Sequence, residues 1–199
     1  MNFKMKSLKN ESGSVSVEAA FYFIMFFSLC ALVADYSIVF INKGRLERIN
    51  HSLASIVRER TALYGGNEEI AQADVDNIKK VADLLMKDTR YEDKYSIHVD
   101  AIYFEESESD ATKKILKHDK FSANTKNVCT QQHTDLEMKN IISLSPWSYS
   151  EKKKKERWTP LYQVSLCVPG ENSLFNKAIG AISGNKLNDI LIRNVVVPR

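Results

Sequence analysis

The sequence has little glycine, little proline and almost no excess of charge of either sign. Its 199 residues include only 7 Gly and 4 Pro, which excludes collagen-like and linker-dominated chains. The 28 basic and 25 acidic residues leave a formal charge of +3, so no global charge indicates a nucleic-acid partner. A mean hydropathy of -0.30 excludes a protein that crosses the membrane many times. The chain has the size of one globular domain with at most one appendage.

Motifs for catalysis and for metal or cofactor binding are also missing. The sequence has no Gly-rich phosphate loop, no nucleophile elbow, and no Cys or His pair with metal-ligand spacing. The four histidines are scattered along the chain: His51, His98, His118 and His133. We therefore predict no enzyme activity, no cofactor and no metal ion.

One long run of the sequence is far more apolar than the mean hydropathy of the chain indicates. Every residue from Ala19 to Ala34 is apolar except Ser28, and apolar residues resume after Asp35 and continue to Ile41. These 23 residues would form a helix of roughly 35 Å, enough to cross a hydrocarbon core of about 30 Å. The run lacks the polar face of a surface helix. We expect a membrane span, with a buried core helix as the alternative.

Basic residues on both sides of this run leave its orientation open. Three lysines precede the run and three basic residues follow it, so the positive-inside rule does not choose a direction. A cleaved secretory signal also begins with basic residues. However, the best candidate cleavage site of such a signal, after Ala34, has Leu32 at a position where a small residue is expected.

The junction before the span carries a glycine and a carboxylate. Gly13 ends the basic leader, and Glu18 lies just inside the apolar segment. A charged group in hydrocarbon costs several kcal/mol, so Glu18 is a functional candidate by default. The alternative is that Glu18 lies in the headgroup zone.

This junction resembles the type IV prepilin family, in which a short basic leader, a Gly and a Glu five residues later open an apolar helix. The resemblance implies that a membrane-embedded prepilin peptidase cuts after Gly13 and leaves Ser14 as the N-terminus. Glu18 would then pair with the terminal amine of a neighbouring subunit, so that two groups costly in lipid neutralise each other. It also implies a cytoplasmic leader, with the chain after about Asn42 in the periplasm.

The motif Val17-Glu18-Ala19 resembles the TadE and TadF group, the pilin-like subunits of tight-adherence systems. Further motifs favour TadF: Asp35 and Ser37 late in the span, Arg45-Leu46-Glu47-Arg48, Arg58-Glu59-Arg60, Leu63-Tyr64, Pro160 to Cys167 and Val195 to Arg199. The resemblance implies a minor pseudopilin of a Flp-type pilus or type II-related secretion machine, acting in pilus assembly and surface adherence. The implied partners are the prepilin peptidase, a TadE-like subunit, the major Flp pilin, the inner-membrane assembly platform and lipid. Asp35 is a lesser candidate for an intramembrane contact.

Beyond the span, apolar periodicity predicts two helices and three strands. One helix runs from Leu46 to Tyr64 and ends at Gly65-Gly66, and a second extends to Leu85 with Asn67 as its N-cap. Alternating residues predict strands at 95–103, 162–168 and 190–197, with a short helix at 174–182. We predict an α+β, pilin-like domain in which a long N-terminal helix, first transmembrane and then amphipathic, and one or two packing helices accompany a small antiparallel sheet. The predicted boundaries are a leader at 1–13, a transmembrane helix at 14–42 and an exported domain at 43–199.

The insert from about 105 to 158 is mostly polar, and we expect loops there. For its basic run, Lys152 to Lys155, a solvated surface and a phosphate site are both open. The run Arg58-Glu59-Arg60 likewise leaves a solvated face and a docking role open. Trp147 and Trp158 are expected to be core or loop anchors rather than a binding platform.

The three cysteines fall in different parts of the chain. Cys30 lies in the span, whereas Cys129 and Cys167 both fall in the predicted exported part. An oxidising compartment favours a bridge between the latter two, and two free thiols are the alternative.

Two rival functions remain open at this stage. One is a membrane-anchored periplasmic hydrolase or thiol enzyme with its nucleophile in the insert. The other is a single-span sensor whose insert binds a ligand. Both rivals predict that the leader stays attached and that Glu18→Ala is nearly silent.

Overall fold

The computed structural model describes residues 12–107, 113–124, 140–150, 153–170, 173 and 189–199. It divides into two compact units: the first includes the N-terminal part of the chain up to Ile41, and the second begins at Asn42. The helices are α1 (Ser12–Arg58), α2 (Arg60–Leu63) and α3 (Gln72–Met86). The strands are β1 (Ser96–Phe104), β2 (Ile115–Asn124), β3 (Trp147–Ser150), β4 (Lys155–Trp158), β5 (Leu161–Val168) and β6 (Ile190–Val196). The α+β prediction is confirmed.

The C-terminal part of α1 packs into the core of the second unit. Its buried residues recur at steps of three and four, which places them on one face of the helix: Leu46, Ile49, Leu53 and Val57. This part of the periodicity prediction is confirmed. The helix ends earlier than predicted, at Arg58, and Leu63 is exposed in the short helix α2.

The prediction of Asn67 as an N-cap was wrong. Helix α3 begins at Gln72, and the Asp74 carboxylate accepts a hydrogen bond from the Ala71 N–H at its start (3.2 Å). The Asn67 side chain instead accepts from the N–H of Glu69 (3.1 Å), which closes a local turn. The core face of α3 consists of Val75, Ile78, Ala82 and Met86.

The main sheet is antiparallel throughout, with strand order β2-β1-β5-β6. Its strands β1, β5 and β6 confirm the three predicted strands to within one residue at each end. Strand β5 lies in the middle of the sheet and is buried at every position. Alternate residues of β1 face the helices, while Ile102 and Phe104 contribute with Leu161 to a smaller cluster of buried residues.

The prediction that residues 105–158 are loops was wrong. This region contains β2, which pairs with β1 through nine residue pairs, and a separate hairpin formed by β3 and β4. Strand β2 has one described neighbour, and Lys117 and Lys120 are exposed on it. A sheet edge tolerates such polar residues, and so the strand has little hydrophobic signal. The predicted helix at 174–182 lies outside the described residues.

Candidate assembly site

In the first unit, α1 exposes apolar side chains along its length. The most apolar 18-residue window has a mean hydropathy of 2.2 and no buried residue. Phe21, Tyr22 and Met25 are 68, 73 and 74% exposed. Water would oppose this arrangement by roughly 25 cal/mol for each Å² of apolar surface. The helix needs an apolar environment, and its length and composition fit a membrane span.

The structure places the predicted assembly residues along this helix without bringing them together. Gly13 and Ser14 lie in the first turn of α1. Glu18 is exposed, and within the described part of the chain it has no hydrogen bond or ion pair. Asp35 is half-buried, 17 residues further on, which is about 26 Å along the helix. At this separation, one partner group cannot contact both carboxylates.

Only one cysteine of the predicted disulfide lies among the described residues. Cys30 has a free, exposed thiol, and Cys167 is 1% exposed in β5. Cys129 lies outside the described residues, so the bridge between Cys129 and Cys167 stays a prediction.

Replacement of Cys129 by Ser tests that bridge. A loop of this size predicts a loss of roughly 4 kcal/mol in the free energy of unfolding, measured by denaturation under non-reducing conditions. Cys30→Ser is the matched control and should leave stability unchanged. Alkylation of all three thiols in protein that has been unfolded without a reductant would contradict the bridge.

Arg60 is a buried cation that organises the turn between α2 and α3. Its side chain is 2% exposed, which contradicts a solvated face at this position. Nε donates to the carbonyl of Asn67 (2.6 Å), and Nη2 donates to the carbonyl of Glu69 (2.7 Å) and to the Asp74 carboxylate (3.1 Å). Since a buried charge needs partners, Arg60 and this turn stabilise each other.

Three tyrosines lie around the same turn. The Arg60 guanidinium lies 4.0 Å from the centroid of the Tyr64 ring. The pKa of Tyr64 is raised mainly by burial and, to a smaller extent, by the negative charge of Asp74. The Tyr103 hydroxyl accepts from the N–H of Ile70 (2.8 Å), and burial raises its pKa to about 12. The Tyr162 hydroxyl donates to the carbonyl of Glu68 (2.5 Å), so the turn is bonded to two strands.

The β3–β4 hairpin explains the two tryptophans and the basic run. The rings of Trp147 and Trp158 pack edge to face, with centroids 5.2 Å apart, as anchors of the hairpin. Glu106 forms ion pairs with Lys153 and Lys155. The hydrogen bonds from Lys155 and Lys153 lower the pKa of Glu106. These lysines are therefore engaged with a carboxylate of the same chain.

One cleft of this region offers no evident ligand chemistry among the residues that line it. It has a volume of about 520 Å³ and lies among Arg60, Thr61, Ser148, Arg157 and Arg199. Two guanidinium groups of the cleft are paired, the buried Arg60 with Asp74 and the partly buried Arg157 with Glu68. Among the described residues, no group of three His, Cys, Asp or Glu side chains could hold a metal ion.

A known family model matches most of the chain. The model of the family described as "Putative tight adherence pilin protein F" (TadF) matches residues 6–199. No curated protein and no solved structure matches the sequence. The match agrees with the exposed apolar helix, which fits a membrane-anchored pilus subunit. The chain belongs to the TadF family of tight-adherence pilins and is a pilin-like subunit of a Tad pilus, a structural class of protein.

Proposed function

We propose that this chain is a minor pseudopilin that acts in the assembly of a Flp-type pilus and in surface adherence. The observation that carries the proposal is Glu18, an exposed carboxylate without a described partner on an exposed apolar helix. In lipid such a group needs a neighbour of opposite charge. A neighbour of that kind would come from another subunit.

The proposed assembly step begins with proteolysis. A prepilin peptidase cuts between Gly13 and Ser14 and creates a new terminal amine. That amine, on a neighbouring subunit, pairs with Glu18 and fixes the register of the two helices. Asp35 makes a second intramembrane contact nearer the other end of the span.

The proposed location follows from the same step. The leader faces the cytoplasm, the span crosses the inner membrane once, and the part from residue 43 onward lies in the periplasm. A TadE-like subunit, the major Flp pilin and the inner-membrane assembly platform are the proposed partners. A bridge between Cys129 and Cys167 fits the oxidising periplasm.

Cleavage is tested by the mass of the protein purified from its host membranes. We expect the wild-type chain to begin at Ser14. Gly13→Leu should remain uncut, because its side chain hinders the approach of the peptidase to the backbone. Gly44→Ala is the control, since an added Cβ meets no atom within 4 Å there. A wild-type chain that begins at Met1, or normal cutting of Gly13→Leu, would contradict the proposed step.

A further inference from the structure

The interruption between α1 and α2 has no evident local cause in the sequence. Residues 58–63 contain neither proline nor glycine, and Arg, Glu, Ala and Leu favour helices. At the interruption, Glu59 has a ψ of 58°, and its side chain caps no backbone group among the described residues. Local preferences would continue the helix to Gly65-Gly66. A contact from a distant part of the chain must therefore stop it.

The backbone of Arg199 bonds to both sides of this interruption. Its N–H donates to the carbonyl of Arg58 (2.9 Å). Its carbonyl accepts from the N–H and from the Oγ1 of Thr61 (3.1 and 2.6 Å). In an uninterrupted α-helix, the Arg58 carbonyl would bind the N–H of Ala62, and the Thr61 N–H would bind the carbonyl of Val57. Arg199 thus takes one acceptor and one donor that the interruption releases, the Arg58 carbonyl and the Thr61 N–H.

We propose that Pro198 and Arg199, named the strap here, hold α1 and α2 apart, and that release of the strap lets residues 59–63 rejoin α1. The strap follows β6, which ends at Val196, so the sheet determines where the helix stops. Rejoining would lengthen α1 by five residues, about 7.5 Å at a rise of 1.5 Å per residue. A partner that bound the strap would therefore change the length of the helix.

The Arg60 side chain is the competing cause of the interruption. Its guanidinium bonds to the turn after α2 and to Asp74. These bonds are made by the guanidinium at the end of a long, flexible side chain. The guanidinium could therefore reach the same acceptors from more than one backbone conformation at Arg60. The strap instead bonds the main-chain groups of the interruption itself. The experiment must separate these two contacts.

The test uses the full-length protein in detergent micelles, with ¹³Cα chemical shifts that report the backbone conformation at Glu59. We expect non-helical shifts in the wild type and helical shifts at Glu59 and Arg60 after removal of residues 198 and 199. Arg60→Met with the strap intact should keep the non-helical shifts at Glu59. If they persist without the strap, or become helical in Arg60→Met alone, the proposal is overturned.

A milder variant decides the question if the truncated chain does not fold. Thr61→Val removes the Oγ1 donor, and we expect the Arg199 amide to exchange its hydrogen about fivefold faster. Thr61→Ser keeps a hydroxyl and should restore slow exchange. Ser52→Ala is the matched control, because the Ser52 hydroxyl bonds within α1 to the Arg48 carbonyl (3.0 Å). Equal Arg199 exchange in Thr61→Val and in the wild type would overturn the proposal.

Discussion

Glu18→Ala is expected to yield a subunit that is cut normally but does not assemble. Without the carboxylate, the terminal amine of a neighbouring subunit stays unpaired in hydrocarbon. An unpaired charge there costs roughly 3 kcal/mol on insertion scales, which corresponds to about a hundredfold loss of incorporation. The measurement is the amount of the subunit that co-purifies with sheared pili and with other pilin-like subunits, relative to the amount in the membrane.

Two further variants make this result specific to the charge. Glu18→Gln keeps the size and hydrogen-bonding capacity of the side chain, and it should assemble as poorly as Glu18→Ala. Glu47→Ala is the control on the same helix, since Glu47 forms an exposed pair with Lys43 (3.8 Å) that contributes little. Assembly of Glu18→Ala at the wild-type level would refute charge pairing.

The parts of the fold that were predicted correctly depend on long, regular patterns. The span has an apolar run that no surface helix of a soluble protein carries. Leu46, Leu53 and Val57 recur at helical spacing, and the alternation in β1 and β5 lies where both strands contribute to the core. In each case many apolar side chains follow one regular spacing or run, because each element buries one face or lies in an apolar medium.

The parts that were missed depend on contacts between distant residues. Strand β2 is stabilised by its pairing with β1, and its exposed lysines hide the alternation of Phe121 and Ala123. The start of α3 combines a local bond, from the Ala71 N–H to the Asp74 carboxylate, with the ion pair between Asp74 and Arg60. The local bond was missed because Ala71 is not a typical N-cap residue, and no local pattern specifies the strand pairing or the ion pair.

Arg60 shows how a signal can be present and still be misinterpreted. It occupies the position three residues after Val57, where the apolar periodicity of the helix expects another buried side chain. A charged residue at such a position indicates either a disrupted face or a buried ion pair. The carboxylate that decides between them, Asp74, lies 14 residues further on, and it becomes a partner only after the turn is formed.

Arg60→Met is expected to cause the largest loss of stability among single changes in the second unit. Methionine fills most of the space, but it leaves the carbonyls of Asn67 and Glu69 without their donor. The Asp74 carboxylate keeps its hydrogen bond from the Ala71 N–H but loses its compensating cation. Removal of one partner of a buried ion pair costs about 3–5 kcal/mol, measured as the free energy of unfolding in denaturant. Arg48→Met is the matched control on an exposed arginine of α1 and should change stability by less than about 0.5 kcal/mol.

A double-mutant cycle separates the ion pair from the backbone bonds of Arg60. Asp74→Asn keeps an acceptor for the Ala71 N–H and removes the charge. If the ion pair dominates, Arg60→Met should cost much less in the Asp74→Asn background than in the wild type, because the uncompensated carboxylate is already gone. If the carbonyls of Asn67 and Glu69 dominate, the cost should be nearly the same in both backgrounds. Equal stability of Arg60→Met and Arg48→Met would show that the turn between α2 and α3 forms without the buried guanidinium.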